Sequence, residues 1–236
     1  MAMQRLDKFL ADHGLGTRSE LRDIVRSGRV SVNGAAERSP QRRIDPETDQ
    51  VLFDGAPVSA ARSRTIMMDK PLGVVTATED RSEKTVLDLL PEELRRMGLF
   101  PVGRLDKDTS GLLLLSNDGD FAHRVISPKS AVEKCYCALV EGSATEDDVR
   151  AFREGLLLRD GTKCLPAGLE ILPDGRLLVR VTEGKYHQVR RMLASRGLPV
   201  LELRRLSVGG LKLDESLGPG GWKDLDHEAL CRVFSA

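Results

Sequence analysis

The sequence is poor in aromatic residues and carries no net charge, and both features limit what the protein can be. Only 4% of its 236 residues are Phe, Trp or Tyr, and 36 basic residues balance 36 acidic ones. Hydrophobic residues still make up 40% of the chain, which is enough for a packed core and excludes wholesale disorder. The length suits one large domain, or a small domain beside a medium one.

Long hydrophobic runs are absent as well. The longest run of leucines spans residues 112–115, far short of the roughly 20 apolar residues that a membrane helix needs. The first residues include an acidic residue and no apolar stretch, which argues against a secretion signal. We therefore expect a soluble cytoplasmic protein that does not associate with a membrane.

Motifs for metals and nucleotide cofactors are missing too. No two of the four cysteines have Cys-x-x-Cys spacing, and no histidine lies at a ligand interval from any of them. No glycine-rich dinucleotide fingerprint follows a predicted strand. The sequence thus predicts no metal and no other cofactor, and the cysteines are best interpreted as small buried hydrophobes.

The balanced total charge hides two basic blocks. Residues 1–43 hold nine basic and five acidic residues, and residues 180–212 hold eight basic and two acidic ones. The tail after Leu213 is acidic. This segregation is typical of a protein with a local binding site for a polyanion, although two solvated faces would give the same pattern.

The first basic block has the pattern of two helices followed by a hairpin. Leu6, Phe9 and Leu10 lie at helical spacing, and Thr-Arg-Ser-Glu at 17–20 predicts a capping box. Asn-Gly at 33–34 predicts a tight hairpin turn. Spacings of four and three predict a stripe of arginines along the second helix that can bind RNA phosphates. Its members are Arg18, Arg22, Arg26 and Arg29.

This segment resembles the αL RNA-binding domain, which occurs in a small-subunit ribosomal protein and in many RNA-modifying enzymes. The resemblance rests on RLDKFL at 5–10, TRSE at 17–20 and GRVSVNG at 28–34. It implies that basic residues of this block bind RNA, namely Arg5, Lys8, Arg18, Arg22, Arg26 and Arg29. We place this domain at residues 1–58, and the small polar residues at 59–64 are interpreted as a linker.

Residues 65–236 alternate between strand-like and helix-like stretches, which predicts an α+β domain with a mixed, mostly antiparallel sheet and flanking helices. Within it, GRLDKDTSG at 103–111 is a polar loop that leads into the leucine run. A carboxylate such as Asp106 would be held by the sheet and open to a cleft. Aspartates in such loops are usually turn residues, and that is our interpretation of Asp108 and Asp118.

Two further stretches could carry chemistry. EKCYCALV at 133–140 predicts a strand on which Tyr136 faces away from the two cysteines, either to stack on a nucleobase or to fill the core. EGKYHQVRRM at 183–192 predicts a glycine turn and a helix whose first turns carry cations. Such a helix start can hold a carboxylate or a phosphate, although a solvated basic helix would have the same sequence.

Together these stretches resemble the bacterial ribosomal-RNA pseudouridine synthases of the RsuA type. The resemblance extends to DKPLG at 69–73, where Asp69 replaces the asparagine that often opens the family motif, and to LGPGGW at 217–222. It covers essentially the whole chain. It implies that a uridine base is detached at N1, turned, and rejoined through C5, an isomerisation that requires no cofactor.

The same resemblance implies roles for individual residues. Asp106 would be the nucleophile, attacking either C6 of the base or C1′ of the sugar, and Tyr136 would stack on the base and help remove the C5 proton. Arg190 would pair with Asp106 and oppose the rise in pKa that desolvation causes. Flipping the uridine costs a few kcal/mol, which the basic blocks would offset. Further RNA contacts are expected from Arg104, Lys185, His187 and Gln188.

The sequence leaves alternatives open for the RNA substrate and for the class of function. Tyr-His-Gln at 186–188 looks more like the small-subunit enzymes, since large-subunit relatives tend to have Asn-Arg or Phe-Arg there, so the expected partner is 16S ribosomal RNA or its assembly intermediate. A 23S enzyme and a non-catalytic rRNA-binding or ribosome-assembly module remain open. A methyltransferase would need a glycine-rich loop after a strand, which residues 69–73 do not provide. Nothing suggests more than a monomer.

Overall fold

The structure is a computed structural model that describes residues 3–13, 15–58 and 63–235. The chain forms two compact units: the first runs to Ser63 and includes Arg96–Gly98, and the second comprises Arg64–Arg95 and the chain from Leu99 onward. The expected linker at 59–64 lies mostly outside the described residues, so the domain limits stay predictions. No helix in the described part of the chain is long and apolar enough to cross a bilayer.

The first unit packs two helices against short strands. The helices are α1 (Leu6–Asp12) and α2 (Arg18–Arg26). The strands are β1 (Gln4–Arg5), β2 (Val30–Val32), β3 (Ala35–Glu37), β4 (Arg43–Ile44), β5 (Val51–Phe53) and β6 (Ala56–Pro57). One sheet has the order β3-β2-β5-β6, and β1 pairs with β4. The core is formed by apolar side chains at helical and alternating spacing, such as Leu6, Leu10, Leu21 and Val25.

Two local predictions for this unit are confirmed. The capping box is present at the start of α2, where the Glu20 amide donates to the Thr17 hydroxyl at 3.3 Å and the Glu20 carboxylate accepts from the Thr17 amide at 2.8 Å. Asn33 and Gly34, with φ angles of 53° and 81°, form the turn between β2 and β3. Both features are local in sequence, which is why they could be predicted.

Three arginines of the first unit share one buried carboxylate. Arg5, Arg18 and Arg22 approach Asp7 at 2.8, 3.6 and 3.4 Å, and the Asp7 side chain is fully buried. Burial by itself would raise the pKa of Asp7, but hydrogen bonds from Arg5 and Arg22 and the neighbouring charges hold it below its usual range. The group keeps a net positive charge, because three cations surround one anion.

The rest of the predicted stripe is less regular than expected. Arg26 pairs with Asp23 at 3.0 Å on α2. Arg29 lies beyond the end of α2 and forms an ion pair with Asp54 instead of extending the helical stripe. The spacing placed Arg29 on the helix, but the helix ends at Arg26, so the prediction of a single stripe of four was wrong.

The second unit is built on a mixed sheet, which confirms the predicted α+β class. Within residues 63–235 this sheet has nine strands in the order β11-β12-β10-β13-β9-β7-β15, with β8 added on β9 and β14 on β13. The strands are β7 (Thr65–Lys70), β8 (Phe100–Val102), β9 (Ser110–Ser116), β10 (Lys134–Val140), β11 (Gly168–Ile171), β12 (Leu177–Val181), β13 (Val200–Val208), β14 (Leu211–Lys212) and β15 (Trp222–Asp224). All pairings are antiparallel except that of β9 with β13.

Short helices flank this sheet. They are α3 (Glu92–Arg95), α4 (Gly119–Ile126), α5 (Glu146–Glu154), α6 (Gln188–Ser195) and α7 (His227–Arg232), together with 3-10 turns at Leu87–Leu89, Pro128–Ser130 and Glu215–Leu217. Helix α5 contacts β11 and helix α6 contacts β13, and both share an apolar cluster with β10 and β12, whereas α4 contacts β8 and β9. The leucines of β9 are fully buried, as expected for a strand covered on both faces.

Strands β9 and β13 approach each other closely at a glycine. Their parallel pairing consists of Ser110 with Arg204 and Gly111 with Arg205. A Cβ atom on Gly111 would lie 2.2 Å from the Arg205 carbonyl oxygen and 2.7 Å from its amide nitrogen, and the φ angle of Gly111 is +103°. The loop before β9 can therefore reach the sheet at this point only because residue 111 has no side chain.

Candidate active site

The three stretches that the sequence singled out meet at one cleft in the second unit. The cleft has a volume of about 900 Å³. Its lining includes residues 103–107, Lys134, Tyr136 and residues 181–190. The loop at residues 103–107 and helix α6, which are more than 80 positions apart in the chain, therefore meet at this cleft.

The backbone of the loop that carries Asp106 is fixed on both sides. The Thr76 hydroxyl donates to the Leu105 carbonyl at 2.7 Å and accepts from the Leu105 amide at 3.2 Å. The Thr109 amide donates to the Asp106 carbonyl at 3.1 Å. The Asp106 side chain is nevertheless 31% exposed. The carboxylate is thus held in position and open to a ligand.

A fully buried ammonium group connects this loop to the sheet. Lys70, the last residue of β7, donates to the carbonyls of Pro71 and Thr109, both at 2.9 Å. Burial lowers the pKa of Lys70 to about 8, and the charges of Asp106 and Asp108 act in the opposite direction. In the sequence, Lys70 stands out only as part of the DKPLG motif, because its burial cannot be read from the sequence.

A histidine ring lies next to the Asp106 carboxylate. His187 Nε2 lies 3.4 Å from Asp106 Oδ1. His187 immediately precedes α6 and has a φ of +46°, a left-handed conformation that non-glycine residues rarely adopt. We expected His187 to contact RNA, and its contact with Asp106 was not predicted from the sequence.

The expected ion pair between Arg190 and Asp106 is not the one the structure shows. Arg190 Nη2 lies 3.1 Å from an Asp108 carboxylate oxygen and donates to the Asp108 carbonyl at 2.8 Å. Its Nη1 donates to the Val200 carbonyl at 3.3 Å. Asp108 offers two acceptors to the same guanidinium, which explains why Arg190 binds there. Asp108 lies in a turn, as we interpreted it, and it also holds Arg190, which lines the cleft.

Tyr136 lies where the alternation of β10 placed it. It pairs with Val179 of β12 and Arg205 of β13, lines the cleft, and packs partly against the apolar cluster under α5 and α6. Lys134, two residues earlier, faces the same cleft, as the two-residue period of a strand requires. The Tyr136 side chain thus packs partly on the core and also lines the cleft.

Lys134 is a lysine of the cleft whose importance was not predicted from the sequence. Burial and then the charge of Arg205 lower its pKa to about 8. Among the residues that the structure describes, no carboxylate lies within ion-pair distance of its ammonium group. Arg205 is itself buried and donates through Nε to the Leu112 carbonyl at 2.8 Å. Two neighbouring cations without an anion make this wall of the cleft attractive to a phosphate.

The other residues expected to bind RNA have distinct environments. Arg104 is exposed at the cleft. Lys185 pairs with Glu183 at 2.6 Å. Gln188 is buried, accepts from the Lys185 amide at 2.9 Å and donates to Glu183 at 2.7 Å, so it fixes the turn before α6 instead of facing solvent.

The remaining expected RNA contacts belong to the first unit. They are Arg5, Lys8, Arg18, Arg22, Arg26 and Arg29. Lys8 lies on α1, with its ammonium 4.0 Å from the carboxylate of Asp12, and is half exposed. All six keep part of their side chain in solvent, so an ion pair within the unit does not prevent a phosphate contact.

The sequence matches two known families. Residues 64–195 match the family described as RNA pseudouridylate synthase, and residues 4–51 match the S4 domain. A Vibrio cholerae protein named "Ribosomal small subunit pseudouridine synthase A" is 39% identical over 231 residues, which cover 98% of this chain and 99% of that protein. A Bacillus subtilis protein named "Uncharacterized RNA pseudouridine synthase YtzG" is 41% identical over 230 residues, 96% of each chain.

A solved structure shows the same similarity in three dimensions. It is titled "Crystal structure of pseudouridylate synthase", is 35% identical, has a TM-score of 0.71, and covers 97% of this chain and 99% of that one. The S4 match agrees with the expected RNA-binding domain, and the first family match contains Asp106, Tyr136 and Arg190. Since that match spans more than half of the chain and the relatives align over nearly all of it, the chain belongs to the RNA pseudouridylate synthase family and is an isomerase that acts on RNA.

Proposed function

We propose that this protein converts a specific uridine of small-subunit (16S) ribosomal RNA into pseudouridine, with Asp106 as the nucleophile. The observation that carries the proposal is the cleft in which a fixed, partly exposed carboxylate meets Tyr136 and a set of cations, in a chain of this family. Support for the substrate comes from the relative named for the ribosomal small subunit, which aligns over 98% of this chain. In bacteria such as that relative, ribosomes assemble in the cytoplasm, where we propose that the protein works as a monomer.

The reaction that we propose breaks one bond and forms another. The N1–C1′ bond breaks, the base turns within the cleft, and C5 bonds to C1′. A proton leaves C5 and N1 gains one, so the product is an isomer of the substrate. Asp106 attacks C6 of the base or C1′ of the sugar, and both routes use the same carboxylate. The cleft keeps the detached base next to the ribose while it turns.

The neighbouring residues have separate roles in this proposal. Tyr136 stacks on the target base and helps remove the C5 proton. Arg190 acts through Asp108: it holds the carboxylate and the carbonyl of that residue and so positions the loop that carries Asp106. Lys70 binds the same loop from the sheet side through the Thr109 carbonyl. Together they keep the nucleophile in place before the substrate arrives.

The basic residues provide the binding energy for base flipping. Flipping a nucleotide out of a stack costs a few kcal/mol, and contacts between cations and phosphates offset it. We assign phosphate contacts to Arg104 and Lys185 at the cleft, with His187 close to the reacting carboxylate. In the first unit we assign them to the arginines around Asp7 and to Lys8, Arg26 and Arg29.

The direct test is to map pseudouridine in RNA treated with the purified protein. We expect one modified position in 16S RNA, supplied as a naked transcript and as a partly assembled small subunit, and none in a 23S transcript. Conversion in the 23S transcript alone would overturn the substrate assignment. A protein that binds these RNAs but converts none of them would be an RNA-binding module instead of the proposed enzyme.

Lys134 makes RNA affinity depend on pH. Its pKa of about 8 means that the ammonium is charged below that pH and loses its charge above it, so its attraction for a phosphate is present at pH 7 and lost by pH 9.5. In an Asp106→Asn background, which prevents turnover, we expect the slope of log affinity against log salt to fall by about 0.7–0.9 across this range, the effect of one phosphate contact. Fluorescence anisotropy with labelled RNA measures this slope.

The matched control for that measurement is Lys134→Arg. Arginine stays charged throughout the range, so its salt slope should change less between pH 7 and 9.5 than that of the lysine protein. Lys70, whose pKa is also about 8, is present in both proteins and cancels from the comparison. Equal changes in both proteins would mean that Lys134 does not contact the RNA.

A further inference from the structure

We infer that Tyr186 is a stacking platform for the nucleobase that adjoins the target uridine in the RNA, and thus helps to determine which uridine is modified. This inference rests on the proposed function, because it places the target uridine at Asp106. It concerns a residue to which the proposed chemistry gives no task. Four features of the structure support it.

The first feature is the exposure of the ring. Tyr186 is 76% exposed, the highest value among the large hydrophobic residues that the structure describes as exposed. It lines the same cleft as Tyr136. A ring that packs on no core contributes little to folding, whereas one that faces an RNA cleft can stack on any base. In a chain with only two tyrosines, both border the cleft.

The second feature is that the ring already has a stacking partner within the protein. It stacks on the His187 ring with centroids 3.9 Å apart and planes 14° apart. His187 is held in a left-handed conformation, and the Tyr186 carbonyl accepts from Arg191 at 3.2 Å. Gln188 fixes the turn that precedes the pair. A platform that is rigid before binding loses little conformational entropy when a base stacks on it.

The third feature is the order of groups from the nucleophile outward. His187 Nε2 lies 3.4 Å from Asp106 Oδ1, and Tyr186 stacks on His187. One face of the Tyr186 ring is covered by the imidazole and the other is open. Only one side chain separates Tyr186 from the carboxylate that would attack the uridine. The open face is therefore within reach of a base bonded next to the flipped nucleotide.

The fourth feature is the size and charge of the cleft. Its volume of about 900 Å³ lies near the top of the range of about 300–1,000 Å³ that holds drug-sized ligands, which leaves room beside a single uridine. Arg104 and Lys185 line it together with Tyr186. Cations beside an exposed aromatic ring are the combination that binds single-stranded RNA. The occupant of the open face is therefore a nucleobase.

The experiment is a double-mutant cycle between the protein and the RNA. Tyr186→Ala and Tyr186→Phe are compared with the wild type on a minimal RNA substrate and on copies with an abasic nucleotide on either side of the target uridine. We expect Tyr186→Ala to raise KM by about tenfold to a hundredfold, with kcat within a few fold, because stacking on one base is lost. Tyr186→Phe keeps the ring and should behave like the wild type.

The abasic substrates identify the partner of the ring. At the neighbour that Tyr186 contacts, removing the base should reduce wild-type affinity to that of Tyr186→Ala, and Tyr186→Ala should lose nothing more. The opposite neighbour should show independent losses. Independent losses at both neighbours, or equal KM values for Tyr186→Ala and the wild type, would overturn the inference. Independent losses at both neighbours are also what we expect if Tyr186 stacks on the target uridine itself instead of on a neighbouring base.

Two controls separate this inference from other effects. Ile126→Ala removes another exposed apolar side chain that lines the cleft, 53% exposed, and should not couple to either neighbour. With 2-aminopurine at the contacted neighbour, binding should quench its fluorescence in the wild type and not in Tyr186→Ala. That signal requires no turnover, so a protein that quenches but does not convert the RNA would contradict the proposed function and support the stacking. Equal quenching by the wild type and by Tyr186→Ala would contradict the stacking by Tyr186 and would leave the proposed function unaffected.

Discussion

Replacing Asp106 with asparagine is expected to lower pseudouridine formation by a factor of about a thousand or more, with RNA affinity within a few fold of the wild type. The amide has nearly the shape of the carboxylate but is not a nucleophile. The backbone of its loop does not depend on this charge, since Leu105 is held by the Thr76 hydroxyl and the Thr109 carbonyl by Lys70. Release of tritium from RNA labelled at C5 of uridine measures the single-turnover rate.

Asp108→Asn is the matched control for that substitution. It makes the same chemical change two residues away, weakening the carboxylate contact with Arg190 while leaving the carbonyl contact in place. A small displacement of the loop should reduce turnover by about tenfold to a hundredfold. If Asp106→Asn retained activity within tenfold of the wild type, or if Asp108→Asn lost as much as Asp106→Asn, the assignment of the nucleophile would be wrong.

Replacing Gly111 with alanine is expected to destabilise the second unit by more than about 4 kcal/mol, an amount reached by few single substitutions. A methyl group at this position would lie 2.2 Å from the Arg205 carbonyl oxygen, so β9 and β13 would have to separate. The positive φ of 103° adds strain for any residue with a side chain. Urea unfolding followed by circular dichroism measures the loss.

Gly175→Ala separates the two causes. Gly175 has a φ of +84° in the turn between β11 and β12, and a methyl group there would meet no atom within 4 Å. It should therefore lose only the conformational contribution, about 1–2 kcal/mol. An equal loss in both variants would show that the sheet yields at Gly111 without cost and that close approach of the strands is not required.

The parts of the fold that the sequence predicted are local. The leucines at 112–115, the capping box at Thr17 and the hairpin at Asn33 each depend on a few adjacent residues, and all three are present. The order of the sheet is not local: β9 pairs in parallel with β13, whose residues follow about 90 positions later, and no pattern in either strand specifies that partner. Including Arg29 in the helical stripe of arginines was wrong, because the arginine spacing continues beyond the residue at which α2 ends.

The site was predicted as a set of segments but not as a set of contacts. Resemblance to a family brought Asp106, Tyr136 and Arg190 together, and the structure places all three at one cleft. Whether Arg190 binds Asp106 or Asp108 depends on side-chain rotamers, which cannot be predicted from the sequence pattern. Lys70 and Lys134 look like ordinary solvated lysines in the sequence, and only their burial shows that they belong to the site.

The shared carboxylate of Asp7 has a consequence for how the first unit meets RNA. Arginine side chains at a protein surface normally sample many rotamers, and each loses conformational entropy when it binds a phosphate. Here folding has already drawn Arg5, Arg18 and Arg22 around one internal anion while leaving their outer edges in water. In the RNA complex that we propose, a phosphodiester would therefore meet three preoriented donors. The attraction of the arginines to Asp7 would be offset by a smaller loss of side-chain entropy on binding.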